Sequence, residues 1–248
     1  MNEIVCAPAL VLSRQEYRET DRICVLYCEA YGKVPVRFIG VNRPHGKLKA
    51  LSEPMVLGEY RLHMRRGAEF ATVIGGSLAS TFPGLRAQIG ATLRGLEICE
   101  LLEALTPPWQ PNPEKFQLAV DGLRALERAA DSPSAGAGAS WISLAFMLRL
   151  MRSAGFGVSD RRVREESRTL WSLLHEADFD LLASLPADPE REDRLEDFLE
   201  RALSRIIERP LRTASVRRAL REGRANSAAD PSPRAGLRHG PGRAHAVK

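Results

Sequence analysis

EFATVIGGSLASTFPGLRAQIGATLRGL, residues 69–96, changes period in its middle. Up to Leu78 it is short, β-branched and glycine-punctuated, which is strand chemistry. From Leu85 onward the apolar residues move to helical spacing, with Leu93, Leu96, Leu101 and Leu105 on one stripe. Phe82-Pro83-Gly84 marks the change. Everything before it reads as strands and turns, and almost everything after it as helices.

Working back from this point, four more strands are expected. Residues 55–64 place Tyr60, Leu62 and Met64 on one face and Arg61 and His63 on the other. Residues 34–41 and 22–29 are apolar runs joined by a turn at Gly32. Residues 4–12 hold Pro8, which cannot donate to a ladder, so this strand is expected to lie at an edge or to bend. Five short strands without an intervening helix predict a small closed barrel or sandwich, and a five-stranded barrel of this size is the OB-fold. Strand count alone leaves OB-type and SH3-like barrels both open.

Working forward, Thr106-Pro107-Pro108 ends the first long helix, and Pro113 suits the first turn of a second. Residues 131–140, DSPSAGAGAS, read as a linker. Trp141 to Met151 is apolar nearly all round and predicts a central buried helix. Further helical stripes follow around Trp171 and from Leu195 to Ile207. The fold class is α+β: an OB-like barrel over residues 1–80, then an all-helical part over 81–214. Past Pro210 the composition turns to Arg, Ala, Gly, Pro and Ser, which predicts an unstructured Arg-rich tail over 215–248.

Charge is distributed unevenly. The chain carries +5, but Arg209 to Lys248 alone carries +8, so the body up to Glu208 is about −3. Inside the body the cations gather in RFIGVNRPHGKLK, residues 37–49. Lys33, Arg37, Arg43, His45, Lys47, Lys49, Arg65 and Arg66 are the candidate DNA contacts, since a handful of such charges on phosphates gives salt-sensitive affinity without base readout. The same pattern also describes a solvated hairpin. Tyr17, Tyr27, Tyr31, Phe38 and Tyr60 are expected mainly in the core, with Tyr31 beside its turn the best exposed stacking candidate.

Catalysis finds no foothold. The five histidines are scattered, and neither H-x-x-x-H nor C-x-x-C occurs. No Walker-type glycine loop and no G-x-S-x-G elbow occur either. Cys6, Cys24, Cys28 and Cys99 read as buried free thiols. No metal, cofactor or enzymatic activity is expected. No run approaches the ~20 apolar residues of a membrane span, and no secretory pattern opens the chain, so the expected location is the cytoplasm.

The organisation resembles the RecO family of bacterial recombination mediators. ALVLSRQEYRETDRICVLYCEAYGKV is similar to the family's opening, and GVNRPHGKLKALSEP to its basic segment. FPGLRAQIGATLRGLEICELLEAL with PNPEKFQLAVDGLRAL is the most specific match, followed by AFMLRLMRSAGF and FLERALSRIIERPLRTA. The resemblance implies binding of single- and double-stranded DNA, strand annealing, and loading of a recombinase onto strands covered by single-strand-binding protein. The implied partners are RecR and the acidic C-terminal tail of single-strand-binding protein, the latter on Arg124, Arg128, Arg149 and Arg152. Three usually basic positions are Ile39, Asn42 and His45, and the zinc-binding cysteines many members carry after Gly-Phe are missing from GFGVSDRRVREE. The rival reading is a protein-binding adaptor whose barrel has lost its DNA affinity.

Overall fold

The computed structural model describes residues 2–131, 138–157 and 168–229. Five strands come first: β1 (Asn2–Tyr17), β2 (Asp21–Cys28), β3 (Gly32–Phe38), β4 (Leu57–Arg65) and β5 (Ala71–Ser80). They close in the order β1-β2-β3-β5-β4, with β3 and β5 parallel and every other pair antiparallel. That order is the OB-type barrel, so topology decides what strand count left open. β1 is long because it serves two partners: Asn2–Leu10 pairs with β4 and Ala9–Tyr17 with β2. Pro8 lies where only β4 is its ladder partner, which a residue without an N–H tolerates.

The inside of the barrel is filled by alternate residues, among them Val34, Val36, Phe38, Tyr60 and Leu62. Tyr60 donates from its hydroxyl to the Leu51 carbonyl at 2.9 Å, so its one polar atom is satisfied. Cys24 and Cys28 are buried there, and burial pushes both thiols up to about 12. Cys99, on the helical side, is likewise pushed up to about 12. Cys6 differs from the expectation of four buried thiols: it is exposed, because its strand position points outward.

The helices are α1 (Pro83–Ala87), α2 (Ile89–Leu105), α3 (Pro113–Asp131), α4 (Ala139–Ser153), α5 (Arg168–Glu176), α6 (Phe179–Ala183), α7 (Pro189–Leu203) and α8 (Arg212–Ala229). Their starts are chemically ordinary. Asn112 accepts from the Lys115 N–H ahead of α3, and Asp188 accepts from the Arg191 N–H ahead of α7. α4 is buried on almost every side, as its composition predicts. Residues 132–137, in the expected linker, lie outside the described residues.

Barrel and helices share one core. Leu10, Leu12, Tyr27, Met55 and Leu57 of the barrel side join the apolar faces of α2 to α7. Gly95 permits a close approach, since a Cβ there would fall 2.5 Å from the Met55 sulfur. A second contact clasps the β2–β3 turn. Lys33 donates from Nζ to the Glu103 carbonyl at 2.6 Å, and the Trp109 N–H donates to the Lys33 carbonyl at 2.9 Å. Gly32, at φ +69°, lies against the Gln110 backbone, where a Cβ would come within 2.1 Å of the carbonyl oxygen.

The C-terminal expectation needs correction. Residues 215–229, read as unstructured, continue α8. The segment holds few large apolar residues of its own, Val216 and Leu220, and its anchors are charges supplied by other helices. The Arg217 guanidinium is buried against Glu97 of α2 and Glu196 and Glu200 of α7. Glu100 accepts from the backbone N–H groups of Arg212 and Thr213 at 2.7 and 3.0 Å, satisfying the start of the helix. Residues 230–248 lie outside the described residues.

Candidate nucleic-acid interface

The basic segment between β3 and β4 is fixed at both ends by the β1–β2 turn. At its start, the buried Asp21 carboxylate accepts from the Gly40 N–H at 2.8 Å and from Arg37 Nε at 3.0 Å. These bonds, the Gly40 N–H first and the Arg37 guanidinium next, hold the Asp21 carboxyl below its usual range. Glu16 accepts from Asn42 Nδ2 at 2.5 Å and from Arg22 Nε at 3.0 Å, and it too is held low, chiefly by Asn42. At the far end, Arg22 reaches from β2 to Ser52 Oγ at 2.9 Å and Glu53 Oε1 at 2.8 Å. Gly40 takes φ +66° at the first bend. Gly46 passes so close to the Val41 carbonyl that a Cβ would sit 2.3 Å from its oxygen.

Between these anchors the loop presents its cations outward. Arg43, His45, Lys47 and Lys49 are exposed and make no side-chain ion pair or hydrogen bond with the described residues. Arg65 and Arg66, at the β4–β5 turn, are also exposed and unpaired in this sense. Two of the eight predicted residues are placed differently. Lys33 is half-buried at the opposite end of β3, spent on the Glu103 carbonyl, and desolvation lowers its affinity for its proton. Arg37 is bound to Asp21 and lies over the Tyr17 ring, 5.3 Å from its centroid.

That ring is expected in the core from sequence, and the structure places it elsewhere. Tyr17 is half-buried at the end of β1, with the Arg18 guanidinium 5.2 Å from its centroid and the Phe70 ring 6.5 Å away. Phe70 comes from the β4–β5 turn, so the cluster joins the end of β1 to that turn. Arg18 holds φ +56°, a conformation that costs a non-glycine residue strain. No local sequence signal links Tyr17 to Phe70; only barrel closure does. Tyr31 is half-buried beside the β2–β3 turn, and the exposed aromatic at that end is Trp109. Asn42 and Ile39, at positions where the resemblance expects cations, are a loop tether and an exposed apolar side chain.

The four arginines expected to meet an acidic partner do not converge. Arg128 pairs with Asp180 of α6. Arg149 donates to the Leu174 and Ala177 carbonyls at the end of α5 and covers the Phe179 ring at 4.8 Å. Arg124 and Arg152 remain exposed. A cleft of about 420 Å³ with cationic and apolar walls lies elsewhere, between α2, the end of α3, the start of α4 and α8, bordered by Leu93, Arg94, Leu126, Arg217 and Leu220.

Among the described residues no group of His, Cys, Asp and Glu is arranged to hold a metal. The segment after Gly157, where many RecO-like chains carry zinc ligands, lies outside the described residues. No described helix is long and apolar enough to cross a membrane.

A five-stranded OB-type barrel with a tethered cationic loop, fused through a common core to a helical bundle, defines the class: an OB-barrel protein with an appended helical domain. Comparison with known proteins narrows it. The profile for the RecO N-terminal domain matches residues 1–82, and that for the RecO C-terminal domain matches residues 86–162. The chain is 34% identical over 121 residues to a protein named DNA repair protein RecO from Desulfitobacterium hafniense, covering 49% of this chain and 44% of that one. It is 32% identical over 150 residues to the protein of that name from Pelotomaculum thermopropionicum, covering 60% and 55%. With its Bacillus subtilis counterpart the identity is 27% over 122 residues, covering 49% and 47%. The chain thus spans about half the length of the curated relatives it matches. It belongs to the RecO family.

Proposed function

We propose that this chain is a non-enzymatic DNA repair and recombination mediator whose barrel holds DNA at the loop of Arg43, His45, Lys47 and Lys49, with Arg65 and Arg66 on the neighbouring turn. The observation that carries the reading is that these cations are exposed and unpaired on a loop tethered at both ends. A preorganised cationic surface gains counterion-release affinity for either single or double strands without ordering cost at binding. The Tyr17–Phe70 cluster adds a preference for single strands, whose bases can stack on an aromatic face. On this reading the chain anneals strands and, with RecR, loads recombinase onto DNA covered by single-strand-binding protein. The acidic tail of that protein meets the open cations of the helical part, Arg124 and Arg152. The setting is the cytoplasmic nucleoid.

The test is a DNA titration at two salt concentrations on the full chain and on a chain ending at Ala229. Both should bind single strands, with affinity falling as salt rises. Ending the chain at Pro210 would be a poor test, because it strips Arg217 from the buried carboxylates. If the chain ending at Ala229 fails to bind at low salt, the barrel reading is wrong. The adaptor reading, which the use of Asn42 as a tether favours, would then stand.

A further inference from the structure

The cationic loop is held at its base by a second set of charges. Arg22 of β2 is 5% exposed, and its guanidinium meets both ends of the loop at once. Nε donates to Glu16 Oε1 at 3.0 Å, and the other oxygen of Glu16 accepts from Asn42 Nδ2 at 2.5 Å. Nη1 donates to Ser52 Oγ at 2.9 Å and to Glu53 Oε1 at 2.8 Å. Arg14 ends the series on the same Glu53 oxygen at 2.5 Å. The result is one polar chain, Asn42–Glu16–Arg22–Glu53–Arg14, tying residue 42 to residue 53. Arg43, His45, Lys47 and Lys49 lie between those two points. Val41 and Leu51, both buried, join the barrel core at the same two places.

Two members of this chain are at odds with their setting. Glu16 and Glu53 are carboxylates beside a surface offered to a polyanion, with side chains 56% and 31% exposed. By charge alone each should weaken binding, since it subtracts from the field that attracts phosphates. Arg22, conversely, is a cation withdrawn from the surface. β2 does not depend on them for its place, because it pairs along its length with both β1 and β3. Asn42, Ser52 and Glu53, which the chain fixes, lie outside every strand.

We propose that Glu16, Arg22 and Glu53 are positioning residues for DNA binding, which act through the loop and touch no phosphate. The inference rests on the reading of the loop as the DNA surface. Without the brace the loop would have to be ordered as DNA arrives, and ordering a single residue is enough to cost about ten-fold in affinity. The bound state would still place the same cations on the same phosphates, so the number of counterions released would not change.

Titration of the full chain with a fluorescent single-stranded oligothymidylate, over a range of salt, tests this. Glu16→Ala and Glu53→Ala each remove an anion, yet each should weaken binding about ten-fold, with the slope of log affinity against log salt unchanged. Arg22→Met should do the same. Lys47→Met, which removes a phosphate contact, should instead flatten the slope by about 0.7. Amide exchange in E16A and E53A should accelerate in the loop and stay as it was in β2. Both carboxylates reach solvent, so these two variants decide the question even where R22M fails to fold. Affinity unchanged or raised in E16A and E53A, or a slope flattened by R22M, would overturn the proposal while leaving the DNA reading in place. A wild-type chain that does not bind at low salt would overturn the DNA reading and this proposal with it, and the first titration tells the two failures apart.

Discussion

Replacing Arg217 by methionine keeps much of the side-chain volume and removes the guanidinium from the cluster that docks α8. Three carboxylates surround it, with Glu97 2% exposed, Glu196 7% and Glu200 21%. Arg94 stays, at 3.4 Å from Glu196 and 3.8 Å from Glu97, and the exposed Arg218 stays at 3.1 Å from Glu200, but these two guanidiniums cannot neutralise all three carboxylates. Among the described residues Glu97 Oε1 already has no hydrogen-bond partner. Breaking a buried ion pair by removing one partner costs about 3–5 kcal/mol, a large share of the ~5–15 kcal/mol that holds a typical domain together. The variant should therefore lose about that much in a urea melt, and amide exchange in α8 should accelerate more than in α4. The pH dependence gives the stricter check. Burial already raises the Glu200 carboxyl above its ordinary value, and Arg217 partly offsets that. Without Arg217 the Glu200 carboxyl should titrate higher still, further above its value in the unfolded chain. A group with a raised folded pKa destabilises most at high pH and is relieved as pH falls through that value. The deficit relative to wild type should thus narrow between neutrality and about pH 5. A loss below about 1 kcal/mol, or a deficit that widens on acidification, would refute the assignment of α8's anchorage to this cluster.

Three further outcomes follow from the barrel. Reversing Arg43 and Lys47 to glutamate should weaken binding to all single-strand sequences alike and flatten the salt slope by about 0.7 for each phosphate no longer neutralised; a reduction confined to one sequence would reveal base readout instead. Tyr17→Ala should cost single-strand affinity about 1–3 kcal/mol with little effect on duplex, measured by competitive titration, and an equal effect on both would remove stacking from the account. Asp21→Asn should destabilise the barrel by about 1–3 kcal/mol at neutral pH, because Gly40 and Arg37 lose their charged acceptor. Since the Asp21 carboxyl is depressed in the folded state, its contribution is full above the unfolded value near ~3.9 and is lost as pH falls through the folded one. Wild type and D21N melts should converge in acid, and parallel curves would contradict this.

The sequence by itself determined the elements and their class. Alternating and β-branched runs up to Ser80, and 3.6-residue stripes after Pro83, give strands and helices wherever one face is buried, because periodicity is a local consequence of burial. Pro113, Asn112 and Asp188 mark helix starts for equally local reasons. The exposed cations of residues 43–49 were legible too, since a turn rich in Gly and Pro cannot bury charge. Tertiary structure decided which cations were spent. Lys33 and Arg37 look like their neighbours in sequence, yet Lys33 serves a carbonyl of α2 and Arg37 serves Asp21, a carboxylate that only strand pairing brings beside it. The pairing of Tyr17 with Phe70 depends on which strands become neighbours at closure. α8 is the clearest case. Its composition lacks the apolar surface to order itself, and the carboxylates that order it come from α2 and α7, more than a hundred residues away for Glu97. Hydrophobic patterning is written locally in a chain, whereas charge pairing is settled only when distant segments meet.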